Sequence, residues 1–213
     1  MKKSKLARLL AAVCCFAMLL TACSSPAPSG SESTPPSSSE PETEEKVLTF
    51  AIGAETTTLS TLYMNNSLCC TSMLVYENLV DFDNGEIVPG LAESWEYNDD
   101  QTELTFHLRQ GVTFHNGEPF NAEAVKTNLE HKQSNPSFYT LKGITDITEM
   151  EIVDDYTITL HYDHPFYAYL QDFCWPDVNP MSAPEFIIPG DFQTISGVAG
   201  TGPYIYDEYV AGE

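Results

Sequence analysis

Basic residues are scarce in this chain: nine Lys and Arg stand against 31 Asp and Glu, for a formal net charge of −22. No arginine follows Arg109. Gripping a nucleic-acid backbone requires Lys and Arg to displace condensed counterions, so that class of partner is excluded. Adsorption to anionic lipid through a basic patch fails for the same reason. The acidic excess reads as a solvated surface. There is no Cys-x-x-Cys pair, so a structural zinc site has no support. No Gly-x-Ser-x-Gly elbow occurs, which leaves a Ser-His-Asp enzyme without its nucleophile turn. No Gly-rich phosphate loop is present, so any energy source lies in a partner protein. No internal repeat is visible, and no apolar run reaches the roughly 20 residues of a membrane-spanning helix.

What is present starts at the N-terminus. Lys2, Lys3, Lys5 and Arg8 precede an apolar run from Leu9 to Leu20, followed by Leu20-Thr21-Ala22-Cys23. A positive start, a short apolar stretch and small residues before a cleavage point make a secretory signal over residues 1–22. Leu-Thr-Ala-Cys also resembles the lipobox of bacterial lipoproteins. That resemblance implies lipidation of Cys23, which becomes the mature N-terminus. Within residues 23–46, Ser24 to Glu45 is Ser, Pro, Thr, Gly and Glu with almost nothing apolar. They bury too little surface to offset ordering entropy, and so read as a flexible tether between membrane and domain. Acyl chains anchor by about 0.8 kcal/mol per buried CH₂, enough for a stable hold when several are attached.

Residues 47–213 read as the folded part, long enough for one core. Val47–Ile52 is a short β-rich run, expected as a strand. Ser67–Leu79 carries Leu68, Met73, Leu74 and Leu79 at helical spacing. Leu91–Arg109 is expected as a hairpin around Asn98-Asp-Asp-Gln101, with Leu104, Phe106 and Leu108 on one face. Asn121 is placed to cap a helix over Ala122–Gln133. Glu149–Val153 and Tyr156–Tyr162 form a second hairpin across Asp154-Asp155. Phe166–Phe173 reads as a short helix and Pro203–Tyr209 as a strand. This order gives an α/β, mixed α+β layout. Cys69, Cys70 and Cys174 read as small buried apolar residues, with a bridge from Cys174 to Cys69 or Cys70 as the alternative.

Several strings then come in a fixed order: Tyr76-Glu-Asn-Leu-Val80, Val88-Pro-Gly-Leu-Ala-Glu-Ser-Trp95, Leu104 through Phe120, Asn121-Ala-Glu-Ala-Val125, and Gly200-Thr-Gly-Pro-Tyr204. The series resembles family 5 of the bacterial extracellular solute-binding proteins, the peptide/nickel-binding group, over residues 47–210. The resemblance implies a type II periplasmic-binding-protein-like fold, of which this chain would be the incomplete first lobe of a two-lobed clamshell, with the C-terminal remainder missing. It implies a substrate-binding lipoprotein of an ABC importer, not an enzyme and without a cofactor. Such a protein works as a monomer with an ABC permease and its ATPase, held on the outer face of the cell membrane. The runner-up is a surface lipoprotein using the same scaffold for a signalling, adhesive or chaperone-like role.

By position in that family, the ligand-facing candidates are Glu55, Thr56, Thr57, Tyr63, Tyr139, Trp175, Asp177 and Asn179; for each, the alternative is a plain surface loop or a core aromatic. Tyr167–Gln171, Trp175-Pro176 and Ala183-Pro-Glu-Phe186 look like the nickel-type branch. Asp177, however, stands where that branch presents an arginine. A guanidinium clamps a carboxylate and an aspartate repels it. An acidic wall suits a peptide's ammonium or a cationic chelate instead, so short peptides and a nickel complex both stay open. His161 and His164 resemble a metal pair, but two residues three apart on a strand face opposite sides. His107 is expected on the exposed hairpin face, and His115 as a structural part of its loop.

Overall fold

The computed structural model describes residues 47, 49, 51, 59, 69–136, 140–165, 167–175, 180–188 and 197–208. The chain divides into two units, Met1–Thr49 and Phe50–Glu213, and the elements below all belong to the second. They are helix α1 (Cys69–Val75), strands β1 (Val80–Asp83), β2 (Glu86–Pro89), β3 (Ala92–Tyr97) and β4 (Glu103–Leu108), helices α2 (Ala122–Gln133) and α3 (Lys142–Thr145), strands β5 (Ile147–Asp154) and β6 (Thr157–Tyr162), and helix α4 (Tyr169–Asp172). A 3-10 turn covers Pro184–Phe186. Among the described residues, no helix is long and apolar enough to cross a membrane.

The main sheet has strand order β3-β4-β6-β5, antiparallel throughout. Its register pairs Leu104 with Leu160 and Phe106 with Ile158, so alternation buries all four on one face. The opposite face carries Glu103, Thr105, His107, Thr157, Thr159 and His161, tied at its centre by a 2.9 Å hydrogen bond between the Thr105 and Thr159 hydroxyls. Both expected hairpins are present. The β3–β4 turn is held by Asn98 Oδ1, which accepts from the Thr102 and Glu103 amides at 2.9 and 3.1 Å. At the rim, β5 is broken by register shifts between Ile147 and Glu149 and between Ile152 and Asp154.

Helix α2 starts where expected. Asn121 is extended, and its side chain accepts from the Ala124 amide at 2.9 Å, satisfying one of the donors a helix start leaves open. Ala122, Ala124, Val125 and Leu129 bury one stripe of the helix in the core. Phe106 meets Phe173 edge to face at 5.2 Å, Phe114 meets Phe120 likewise at 5.9 Å, and Tyr162 stacks on Tyr169 at 3.8 Å. Each fully buried Phe of this set is worth about 1.5–3 kcal/mol of apolar burial.

The structure departs from the sequence expectation at several places. The α1 helix ends at Val75 and not at Leu79, because the Leu74 and Val75 carbonyls, which would accept from the Asn78 and Leu79 amides, are taken by the Tyr204 and Gly202 amides. A β1–β2 hairpin that the sequence reading passed over turns on Asn84-Gly85, with φ of 50° and 93°. That dipeptide suits a two-residue turn because both central residues need positive φ. Helix α4 is one turn, since residues 167 and 168 form a turn before it and the Tyr169 hydroxyl bonds back to the His164 carbonyl at 3.0 Å. No strand forms over Pro203–Glu208, the described part of the expected Pro203–Tyr209 strand. Instead the Gly202 and Tyr204 amides cap the Val75 and Leu74 carbonyls at the end of α1, at 2.9 and 3.0 Å. Of the expected Val47–Ile52 strand, Val47, Thr49 and Ala51 are exposed and in no strand; the others lie outside the described residues.

Candidate functional site

Most sequence-predicted contacts fall where the structure is silent: Cys23, Glu55, Thr56, Thr57, Tyr63, Tyr139, Asp177 and Asn179 lie outside the described residues. Trp175 is described. It leaves the end of α4 with 56% of its surface exposed, unusual for a ring of that size in a folded unit. The backbone beside it is fixed. The Cys174 amide bonds the Gln171 carbonyl at 3.1 Å, and the Asp172 carboxylate accepts from the Gly143 amide at 2.7 Å, tying α4 to α3.

The chain is pinned again from Pro180. The Met181 amide donates to the Glu77 carbonyl at 3.0 Å, and the Ala183 amide to the Ala199 carbonyl at 2.9 Å. Between them two side chains of α2 reach across. Asn128 donates to the Ser182 carbonyl at 2.8 Å and accepts from the Ser182 amide at 3.0 Å, while Lys132 Nζ donates to the Pro180 carbonyl at 2.8 Å. Lys132 has no exposed surface. Burial disfavours its charged form and lowers its pKa to about 7. The sequence reading gave neither residue a role. The available signal was position: Asn128 and Lys132 follow Ala124 at intervals of four, and so continue the stripe that the helix buries.

Two carboxylates, Asp81 and Asp172, act on Cys174, the residue before Trp175. Burial raises Asp81 above its ordinary pKa, partly opposed by the Asn78 amide at 3.2 Å. Burial also raises Asp172, opposed by the Gly143 amide. The Cys174 thiol, buried and free, is pushed up to about 11 by burial first and then by Asp81 and Asp172. No bridge from it to Cys69 or Cys70 forms, and those two side chains lie outside the described set. Arg109, the one arginine among the described residues, is committed elsewhere. Its guanidinium donates to the Gly90 carbonyl and pairs with Glu77 at 3.6 Å. Among the described residues, two carboxylates thus lie near Cys174, the chain neighbour of Trp175, and the one guanidinium is already engaged.

His107 faces Glu96 at 3.7 Å on the outer sheet face. His161 lies between Glu103 at 3.6 Å and Glu151 at 3.3 Å, and His164 beside Asp163 and Asp146. Among the described residues, no three His, Cys, Asp or Glu are arranged to hold a metal ion. His115 joins two motifs. Its amide donates to the Gly200 carbonyl at 2.9 Å and its Nε2 to the Gly202 carbonyl at 2.8 Å.

Known proteins with similar sequences and structures share this layout. Residues 86–213 match the model of the bacterial extracellular solute-binding proteins, family 5 Middle. The nickel-binding periplasmic protein of Escherichia coli (strain K12) is 34% identical over 155 residues, which cover 69% of this chain and 28% of that protein. The glutathione-binding protein GsiB of Pectobacterium atrosepticum is 33% identical over 164 residues, 73% of this chain and 30% of that one. The crystal structure of NikA from Brucella suis in complex with Fe(III)-EDTA superposes with a TM-score of 0.67 at 36% identity, covering 73% of this chain and 32% of that one. The chain thus spans under a third of the length of these relatives.

Proposed function

This chain belongs to family 5 of the bacterial extracellular solute-binding proteins, and from that premise we propose that it is the substrate-binding component of an ABC importer. It captures a small solute outside the membrane and delivers it to a permease driven by an ATPase. The observation that carries the reading is the family match over residues 86–213, which includes the loop and helix start from Phe114 to Val125. Solved structures with the same fold include one titled an ABC transporter substrate-binding protein, from Sinorhizobium meliloti, at 31% identity and a TM-score of 0.59. The role calls for binding without chemistry.

Residues 1–22 act as a signal, Cys23 carries the lipid and residues 23–46 form the tether. Residues 47–213 contribute the opening part of the binding domain. The solute is a short peptide or a nickel complex. The exposed ring of Trp175, the carboxylates of Asp81 and Asp172 near the adjacent Cys174, and the engagement of Arg109 with Glu77 favour a ligand that presents an ammonium or a net positive charge.

Native mass spectrometry of the protein as its gene encodes it, purified from its own cells, tests this. A bound peptide or nickel chelate of defined mass is the expected result. Hydrolysis of added peptides, or no heat on titration with di- and tripeptides and nickel–histidine, overturns it.

A further inference from the structure

The string Asn-Gly-Glu occurs twice, at residues 84–86 and 116–118. Both asparagines are exposed, and both glycines hold a positive φ, 93° at Gly85 and 88° at Gly117. Asparagine before glycine carries a latent reaction. The glycine amide nitrogen can attack Cγ of the asparagine side chain, because no Cβ on the glycine obstructs the approach. With the local sequence the same, the hydrogen bonds around each string decide which one reacts.

Asn116 is clamped. Its Nδ2 donates to the Glu118 and Glu185 carboxylates, both at 3.0 Å, and its Oδ1 accepts from the Glu118 amide at 3.2 Å. The attacking nitrogen is held too, since the Gly117 amide donates to the Phe114 carbonyl at 2.8 Å. An isolated bridge between Thr113 and Pro119 closes the base of that loop. Asn84 is placed differently, at the tip of the β1–β2 hairpin. Among the described residues, neither its side chain nor the Gly85 amide has a hydrogen-bond partner. The space beside Gly85 is open, and a Cβ there would meet nothing within 4 Å.

We propose that Asn84 is a site of spontaneous deamidation and isoaspartate formation, and that the fold protects Asn116 from the same reaction. The Gly85 nitrogen bonds to Asn84 Cγ, the Cγ–Nδ2 bond breaks, and Nδ2 leaves as ammonia with the Gly85 amide proton. Water then opens the cyclic imide at either carbonyl, giving aspartate or isoaspartate, with no oxidant or reductant required. Either product adds a negative charge between Asp83 and Glu86. Isoaspartate also adds a carbon to the backbone of a two-residue turn, which has no slack for it. The pairs nearest the tip, Asp83 with Glu86 and Phe82 with Ile87, are lost first.

Peptide mapping by mass spectrometry tests this on the full chain, kept folded in mildly alkaline buffer and sampled over days. Labelling by isoaspartyl methyltransferase locates the isoaspartate. No ligand is involved, so the test can fail independently of the transport reading. Conversion at residue 84 is expected to run at least ~10-fold faster than at residue 116, or about 1.4 kcal/mol in barrier. In denaturant the two rates should converge, which assigns the difference to the fold. Glu185→Ala, which removes one bond from Asn116, should raise the rate there alone. Equal rates at the two positions in the folded chain, or an Asn84 that converts only in denaturant, overturns the proposal.

Discussion

His115 Nε2 donates to the Gly202 carbonyl oxygen at 2.8 Å, joining residues 87 positions apart. A carbonyl only accepts, so the ring carries a proton on Nε2; its Nδ1 is buried without a hydrogen bond among the described residues. This contact explains why two motifs distant in sequence occur together. The loop after β4 holds the Gly200–Tyr204 stretch, and that stretch caps α1. Gly202 has to be glycine here, since a Cβ would sit 2.6 Å from the Val75 carbonyl carbon.

His115→Ala should therefore lower stability by about 1–3 kcal/mol, the cost of leaving the part-buried Gly202 carbonyl without its donor, while the residue-115 amide still serves Gly200. Chemical denaturation measures it. Hydrogen exchange should rise at α1 as well as at residues 200–204; a change confined to the loop at 115 would refute the link.

Asn121→Ala should cost about 1 kcal/mol through loss of the cap on α2, and Asn121→Ser much less, because a hydroxyl can accept the same amide. Thermal melts of the two variants side by side check the order.

Lys132 gives a pH dependence with a definite sign. Its folded pKa is about 7, against 10.5 for an ordinary lysine. Between those values the unfolded chain binds a proton that the folded chain does not, so stability rises with pH across that window. Below about 7 both states are charged and this contribution is flat, with the burial penalty at its fullest. Wild-type minus Lys132→Met stability should climb between pH 7 and 10. A flat difference would mean that the amine stays charged when buried.

The Cys174 thiol, pushed up to about 11, should be almost entirely protonated at pH 7 and slow to alkylate while the protein is folded. Peptide mapping after iodoacetamide treatment, with and without denaturant, reads the Cys174 peptide directly. Equal labelling in both conditions contradicts the burial.

Trp175→Ala should leave stability within about 1 kcal/mol, since the ring is largely exposed. It should weaken solute binding by at least ~10-fold, or about 1.4 kcal/mol. Calorimetry with the co-purified solute measures both arms.

What could be read in the sequence followed from how local each signal was. The β3–β4 and β5–β6 hairpins and α2 carry their own alternation, turns and cap, and they form where expected. The expected helix ran on to Leu79, yet the Leu74 and Val75 carbonyls that its last amides would need serve Tyr204 and Gly202, a demand from outside the window. Pro203–Glu208 alternates like a strand, but its backbone meets the end of a helix and no sheet edge. Asn84-Gly85 was legible and passed over. Of the expected contact residues, only Trp175 lies among the described residues. Asn128 and Lys132 stand at positions that continue the buried stripe of α2, but their carbonyl partners at Pro180 and Ser182 are distant in sequence and only the fold supplies them.

The uneven rim of the main sheet has a consequence for the molecule in company. A neighbouring chain seeking to add a strand to β5 would meet two breaks in register and the acidic side chains of Glu149, Glu151 and Asp154. Copies crowded together on one surface therefore find no continuous ladder to extend, and at this edge self-recognition is blocked by shape and by charge at once.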